Sequence, residues 1–324
     1  MSQTDLDLFK QLNAEYESKP LVAKARGLVS SSLTEQAETR AEMLERRIGI
    51  RGKRVLDIGC GRGQLARVLT EQYDCEYVGV DIKQYESWAE IRAKGADLRV
   101  HDITLLDNED LGSFERIVSF AVFEHVERPY EGIEAIASLL GPDGIAYMSA
   151  NLYRGPKASH RYREVYFPFP HLLFDDQVFL DFYAESGGRS RPAWVNKLTA
   201  AQYREKVRDI GLSIVEEWAS TTPLDEDFFE RFSDVLGKYP RADLETDFIH
   251  LILGSRTSTG NPATPADTSG EPQTISQLLE EVRSLKAQIE QYEESTAWKL
   301  TAPLRMVGDM SPKVRRLARR VVNR

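Results

Sequence analysis

Residues 55–64 read VLDIGCGRGQ: an apolar run, an acid, and three alternate glycines that lead into a helical pattern. The run reads as a strand, and QLARVLTEQ (64–72) carries apolar residues at helical spacing. Asp57-x-Gly59-x-Gly61-x-Gly63 therefore sits where a strand hands over to a helix. Glycines at such a turn let the backbone bend tightly and approach a ligand closely.

Two acids define what that ligand is. The spacing differs from the G-x-G-x-x-G of dinucleotide sites. A carboxylate at Asp57 opposes a pyrophosphate but suits an ammonium group. EYVGVD (76–81) reads as a second strand and ends in Asp81, an acid placed to accept the hydroxyls of an adenosine ribose. The wanted ligand thus has a ribose and a cationic amino-acid end, without phosphates, and S-adenosylmethionine fits that description.

Further along, RIVSFAVF (116–123) and GIAYMSA (144–150) read as strands, and SWAEIRAKG (87–95) and YEGIEAIASLLG (130–141) as helices. The alternation predicts a parallel sheet covered by helices on both faces. LTAAQYREKVRDIG (198–211) continues as a helix, and LSIVEEWA (212–219) and FIHLILGS (248–255) as strands. Upstream, Ser32 and Glu35 stand in capping-box spacing before an amphipathic helix.

These motifs resemble the class I S-adenosylmethionine-dependent methyltransferases, over about Gly52 to Ser255. The resemblance implies a Rossmann-like, doubly wound, mostly parallel α/β sheet. It implies that Asp57, Gly59, Gly61 and Gly63 cradle the methionine part and that Asp81, with Ile82, takes the ribose. Asp102 and Ile103 of VHDIT are expected beside the adenine, and Phe120 at the end of the fourth strand completes the cofactor set. FEHVERP then supplies Glu124 and His125, a pair that follows the fourth strand in many members of that family.

Methyl transfer from a sulfonium is an in-line displacement, so positioning supplies much of the rate. A sugar hydroxyl also gains from a general base, or a metal, as its proton leaves. His125 is the first base expected, with Glu124 beside it and His160 and His171 behind. The other reading is that Glu124 and His125 only order their loop and contact the cofactor. No metal ligands are assigned, although the chemistry leaves a divalent metal open. Cys60 and Cys75, the two cysteines, are too few for a disulfide framework and too poorly spaced for a zinc site.

NLYRGPKASHRYREVYFPFPHLLF (151–174) follows the fifth strand and interleaves cations with aromatic rings. Rings suit sugar faces, and Arg and His suit phosphate or carboxylate. Asn151, Tyr153, His160, Arg161, Tyr162, Arg163 and His171 are the expected acceptor contacts. The alternative is a lid that packs its Phe and Tyr into the core. Residues 220–246 read as one or two helices able to roof the pocket.

The C-terminal quarter differs in kind. Of the 20 residues at 255–274, 13 are Ser, Thr, Gly or Pro, which predicts a flexible linker after a catalytic domain spanning 1–254. Ile275, Leu278, Val282, Leu285, Ile289 and Tyr292 then keep a heptad seam, predicting a short coiled-coil helix over 275–296. That helix is expected to join a second copy, making a homo-oligomer, or a glycosyltransferase partner. Ser295, Trp298, Lys299, Leu300, Thr301, Pro303, Leu304 and Arg305 resemble a segment that follows a coiled coil in bacterial enzymes of surface-polysaccharide assembly. Residues 297–324 hold eight cations against Asp309 alone, in a chain of formal net charge −9. Val314, Leu317, Ala318, Val321 and Val322 share a helical face there, the pattern of a segment lying on an anionic membrane.

Together these features predict a cytoplasmic enzyme held at the inner face of the membrane. Its expected reaction is O-methylation of a sugar or phosphosugar of a bacterial surface glycan such as O-antigen. Two rivals are a methyltransferase of a small metabolite, lipid or quinone, and a non-catalytic scaffold for glycosyltransferases. The acidic excess of the first 296 residues opposes nucleic acid as a partner.

Overall fold

The computed structural model describes residues 3–19, 21, 33–105, 111–186 and 194–255. The chain divides into two units, Met1–Pro262 and Ala263–Arg324, and every described residue belongs to the first. The coiled-coil helix and basic tail expected from sequence, and all of the linker but Ser255, lie outside the described residues.

Seven strands form one sheet in the order β3-β2-β1-β4-β5-β7-β6. They are β1 (Arg54–Ile58), β2 (Glu76–Asp81), β3 (Asp97–Val100), β4 (Phe114–Phe120), β5 (Leu140–Asn151), β6 (Leu212–Thr221) and β7 (Thr246–Ser255). The first five pair in parallel, whereas β7 is inserted antiparallel between β5 and β6. Chain order runs outward from β1 to β3 on one side and from β4 on the other. The carboxyl ends of β1 and β4 therefore border the crevice where the winding reverses, the ligand site of open α/β sheets.

The period-2 alternation of the strands explains the two layers. Leu56, Ile58, Val78, Val80 and Ile117 face one layer of helices, α5 (Pro129–Leu139) and α8 (Ala200–Asp209). Their neighbours Val55, Tyr77 and Val118 face the other, made by α2 (Leu33–Ile48), α3 (Gln64–Tyr73) and α4 (Trp88–Ala93). Ala37, Ala41, Leu44 and Ile48 line the buried face of α2 at helical spacing, as its sequence predicts. Ser32, the expected cap, lies outside the described residues.

Two departures from the sequence reading bear on the site. The fourth strand stops at Phe120 rather than continuing to Phe123, because Ala121 adopts a left-handed φ of 55°. Its amide donates to the carbonyl of Ser149 at 3.1 Å and to Ser149 Oγ at 3.2 Å. The chain then folds into a short 3-10 turn, Phe123–His125, across the crevice.

The second departure is an aromatic core outside the sheet. The polar N-terminal stretch forms α1 (Gln3–Glu15), which buries Phe9 and Leu12, with Tyr16 just beyond it. Phe9 meets Phe167, Phe174 and Phe179 edge-on at 5.1 Å each. Val165, Phe167 and Phe169 thus leave the expected acceptor loop for this core, as do Val178, Phe179 and Tyr183 of α7 (Asp176–Ser186), which follows the single turn α6 (Pro170–Leu173). Phe228, Leu236 and Leu244 join it from α9 (Glu226–Arg231), α10 (Ser233–Leu236) and α11 (Arg241–Glu245). The 220–246 segment is therefore packed here rather than over the glycine loop.

Phe9→Ala removes the centre of that cluster. It should lower unfolding stability by about 3–5 kcal/mol in urea titration while leaving the sheet's own two layers in place.

Candidate functional site

The site begins where β1 ends. Gly59, Gly61 and Gly63 all take positive φ, at 76°, 53° and 76°. A Cβ on Gly59 would lie 2.2 Å from Val122 Cγ2, so only glycine lets the loops after β1 and β4 approach. The amides of Gly59 and Cys60 both donate to the carbonyl of Val80, at 2.8 and 3.1 Å. Asp81 fixes the tip: one carboxylate oxygen accepts from the Gly61 amide at 2.9 Å and the other from the Lys83 amide at 3.1 Å. Trp88 Nε1 holds the Gly61 carbonyl from α4 at 2.7 Å.

Two cavities meet along this loop, sharing Gly59, Gly61 and Phe120. One, of about 450 Å³, is lined by Asp57, Cys60, Arg62 and Gln64, with Gln36 and Arg40 reaching in from α2. Asp57 is buried and accepts from the Tyr77 hydroxyl at 2.5 Å. Burial pushes its carboxyl up to about 6, against the lowering effects of the Tyr77 bond and the Arg40 charge. Such a group gains on ionising when a cation arrives beside it. Burial also raises the Cys60 thiol, with Asp57 and Asp81 adding to the effect, so this cysteine is no thiolate nucleophile.

The other cavity, of about 630 Å³, is lined by Asp81, Ile82, Asp102, Ile103, Val122 and His125. Ile82 is 77% exposed, an apolar side chain presented beside the acids, and Ile103 of the same lining is buried. Asp102 Oδ1 accepts from the amide and hydroxyl of Thr104, at 2.8 and 2.9 Å, which sets the turn after β3. The donor set fits an S-adenosyl sulfonium: an acid for its ammonium, an acid at the ribose end, apolar faces for a base, and glycines that admit its backbone-like chain. Gly63 lines neither cavity, and a Cβ there would press on Ile91 Cδ1 at 2.8 Å, so glycine at this position lets α3 pack closely on α4.

At the far end of the larger cavity lies the turn Phe123–His125. His125 Nδ1 pairs with the carbonyl of Trp194 at 2.9 Å, which assigns its proton to Nδ1 and leaves Nε2 with a lone pair. Asn196 pins the same turn: its amide donates to the Glu124 carbonyl at 2.7 Å and its Nδ2 to the Phe123 carbonyl at 2.6 Å. Glu124 is fully buried, and burial pushes its carboxyl up to about 7. The amides of Glu124 and Asn151 oppose that shift, but neither carboxylate oxygen completes a hydrogen bond.

Of the expected acceptor contacts, His160 stands beside His125, its ring edge-on at 4.8 Å, with Asn151 Oδ1 3.2 Å from its Nε2. Burial, then the neighbouring His125 and Arg161, lower its imidazole to about 4. Asn151 is buried and donates to the Asp247 carbonyl at 2.7 Å. His171 turns away to pair with the Tyr153 carbonyl at 2.7 Å, and burial lowers it to about 4. None of Asn151, Tyr153, His160, Arg161, Tyr162, Arg163 and His171 lines either cavity, and the chain from Val165 onward is drawn into the aromatic core. Sequence reasoning did not single out Gln36, Arg40, Trp194 or Asn196. The apolar pattern of α2 marked which face is buried, but not that its edge reaches the glycine loop.

A family model described as a methyltransferase domain matches residues 33–217. The chain is 43% identical over 98 residues to the cyclopropane-fatty-acyl-phospholipid synthase of Escherichia coli strain K12, a match covering 29% of this chain and 25% of the relative. It is 27% identical over 184 residues to the ubiquinone biosynthesis O-methyltransferase of Neisseria meningitidis serogroup C, covering 55% of this chain and 71% of the relative. The chain thus spans a quarter of the length of the first relative. Among solved structures, the PH0226 protein from Pyrococcus horikoshii OT3 aligns with a TM-score of 0.47 at 18% identity, over 74% of this chain and 98% of that one.

Two outcomes test the cofactor cradle. Gly59→Ala should weaken S-adenosylmethionine binding more than tenfold by calorimetry, because the added Cβ meets Val122 and the left-handed φ is strained. Asp57, neutral below about pH 6 in the free protein, must ionise to hold an ammonium. Affinity should therefore be flat above pH 6 and fall about tenfold per pH unit well below it, a slope absent in Asp57→Asn.

Proposed function

The chain belongs to the methyltransferase-domain family and takes S-adenosylmethionine as its cofactor, and on that premise we propose that it methylates a hydroxyl oxygen of a sugar or phosphosugar in a bacterial surface glycan. The observation that carries the choice of a hydroxyl is His125, which faces the cavity with Nδ1 held by the Trp194 carbonyl and Nε2 bare. The cofactor, when bound, supplies an electrophilic methyl on a sulfonium that leaves as a neutral thioether. Asp57 holds the ammonium end and Asp81 the ribose, while Ile82 and Ile103 offer apolar faces to the adenine. With no metal at its lone pair, His125 Nε2 takes the hydroxyl proton as the oxygen attacks. Trp194 and Asn196 act as positioning residues that keep that nitrogen aimed.

The glycan acceptor draws its support from the C-terminal sequence, where Ser295–Arg305 resembles a segment of polysaccharide-assembly enzymes and the cationic stretch after it suits an anionic membrane. We propose the same stretch as the element that brings an acidic catalyst to lipid-linked acceptors, and residues 275–296 as the self-association or partner helix. A second reading, a quinone or lipid acceptor, is favoured by the likeness to ubiquinone biosynthesis O-methyltransferases. Both readings need a base at the same place.

Methyl-labelled cofactor given to the full chain with separated glycan, lipid, nucleic-acid and metabolite fractions decides between them. Label is expected in the glycan fraction, with His125→Ala lowering turnover about 100-fold or more at unchanged cofactor affinity. Label confined to lipids establishes the second reading, and label confined to small metabolites or nucleic acid rules out both.

A further inference from the structure

We propose that Glu124, His125 and His160 form a site for one divalent transition-metal cation beside the larger cavity, which His125 lines. One ligand atom from each residue lies within 4.8 Å of the other two. Metal–ligand bonds of about 2.1 Å place donors at most about 4.2 Å apart, so side-chain movement of about 1 Å closes the set. The three residues come from two separate segments, the turn after β4 and the loop after β5, and the fold alone brings them together.

The carboxylate is the strongest evidence. Glu124 is fully buried, and although the backbone amides of Glu124 and Asn151 lie close enough to oppose its upward shift, neither oxygen completes a hydrogen bond. Buried carboxylates are ordinarily paired or bound to a metal. Each imidazole, moreover, is already oriented by a second partner. His125 donates from Nδ1 to the Trp194 carbonyl at 2.9 Å, and His160 donates from Nε2 to Asn151 Oδ1 at 3.2 Å. Asn151 Nδ2 is committed to the Asp247 carbonyl, which fixes its oxygen as the acceptor. Both rings are left with one bare nitrogen, the arrangement in which outer partners set the tautomer of metal-bound histidines. His160 also holds a left-handed φ of 53°, uncommon for a residue with a side chain.

The chain has five histidines, and the other three are occupied elsewhere. His101 pairs with the Asp102 carbonyl, His171 with that of Tyr153, and His250 with Tyr147 and Ser220. Two imidazoles and a carboxylate suit Zn²⁺, Mn²⁺, Fe²⁺ or Co²⁺ better than Mg²⁺ or Ca²⁺, which prefer oxygen donors. Three protein ligands leave a coordination position open, as in catalytic rather than structural sites. Of the three ligands, His125 lines the larger cavity, which gives an acceptor a route to the cation.

The role of the cation deepens the hydroxyl-acceptor reading and rests on it. An acceptor hydroxyl bound at the open position loses its proton to solvent water. An oxygen lone pair then forms the new C–O bond, and the C–S pair stays on sulfur as the thioether. With the cation in place His125 Nε2 is a ligand, and the cation takes over from it the task of making the hydroxyl reactive.

The test uses the full chain, stripped with a chelator, dialysed, and titrated with Zn²⁺ and Co²⁺ by calorimetry, with Co²⁺ also read by its visible d–d absorption. One equivalent is expected to bind, and His160→Ala and Glu124→Gln should each weaken it by about tenfold or more. S-adenosylmethionine affinity, carried by other residues, reports that the variants are folded. X-ray absorption of the Zn²⁺-loaded wild-type chain should show two imidazole nitrogens and at least one oxygen, independently of any variant. Binding of less than about 0.1 equivalent, a zinc shell without imidazole, or affinity unmoved in both folded variants overturns the site. One equivalent bound at these ligands, with no label transferred to any hydroxyl, upholds the site and overturns only the hydroxyl reading.

Discussion

The close approach of two loops governs this protein. The turn after β1 and the turn after β4 meet at the point where the sheet's winding reverses, and Gly59 lies against Val122 with no room for a Cβ. Everything at the ligand end follows from that contact. It sets the glycine loop low enough for Asp81 to clasp the Gly61 amide, and it lets Gly59 and Gly61 border both cavities. On the other side, the left-handed Ala121 stops β4 early and turns the chain toward the acceptor end.

Burial then assigns chemistry to the acids. Asp57 and Glu124 are both removed from water, and both carboxyls rise for that reason. Their surroundings differ in a way that separates their roles. Asp57 has the Tyr77 hydroxyl and the Arg40 charge to favour its ionised form, and it borders a cavity of about 450 Å³. Glu124 has no completed hydrogen bond, and two imidazoles stand beside it. The first arrangement suits the organic cation proposed for it, and the second the proposed metal ion.

The aromatic core draws part of the loop after β5 away from the cavities. Phe9 of α1 offers a surface that Phe167, Phe174 and Phe179 cover, and burying such rings outweighs leaving them at a cavity rim. That packing pulls residues 165–169 away while leaving His160, earlier in the loop, beside His125. The segment joining α7 to α8 contributes in turn: Trp194 and Asn196 hold the 3-10 turn through carbonyl and amide contacts that no side-chain pattern announces.

Much of the sheet was legible in the sequence because strand alternation and helix spacing are local signals. VLDIGCGRGQ, EYVGVD and the helices between them stand where their patterns put them, and Asp57, Asp81, Asp102 and Ile103 border the cavities for the same reason. The N-terminal helix was hidden, since a few apolar residues such as Phe9 and Leu12 in a polar stretch have no meaning until a partner surface exists. Tertiary structure alone decided that Arg40 reaches the glycine loop, that Gly63 packs closely against Ile91, and that His171 turns inward. It alone also joined His160 to Glu124 and His125 across 35 residues of chain. Residue type and spacing are written along the chain, whereas the meeting of distant side chains depends on which surfaces bury one another.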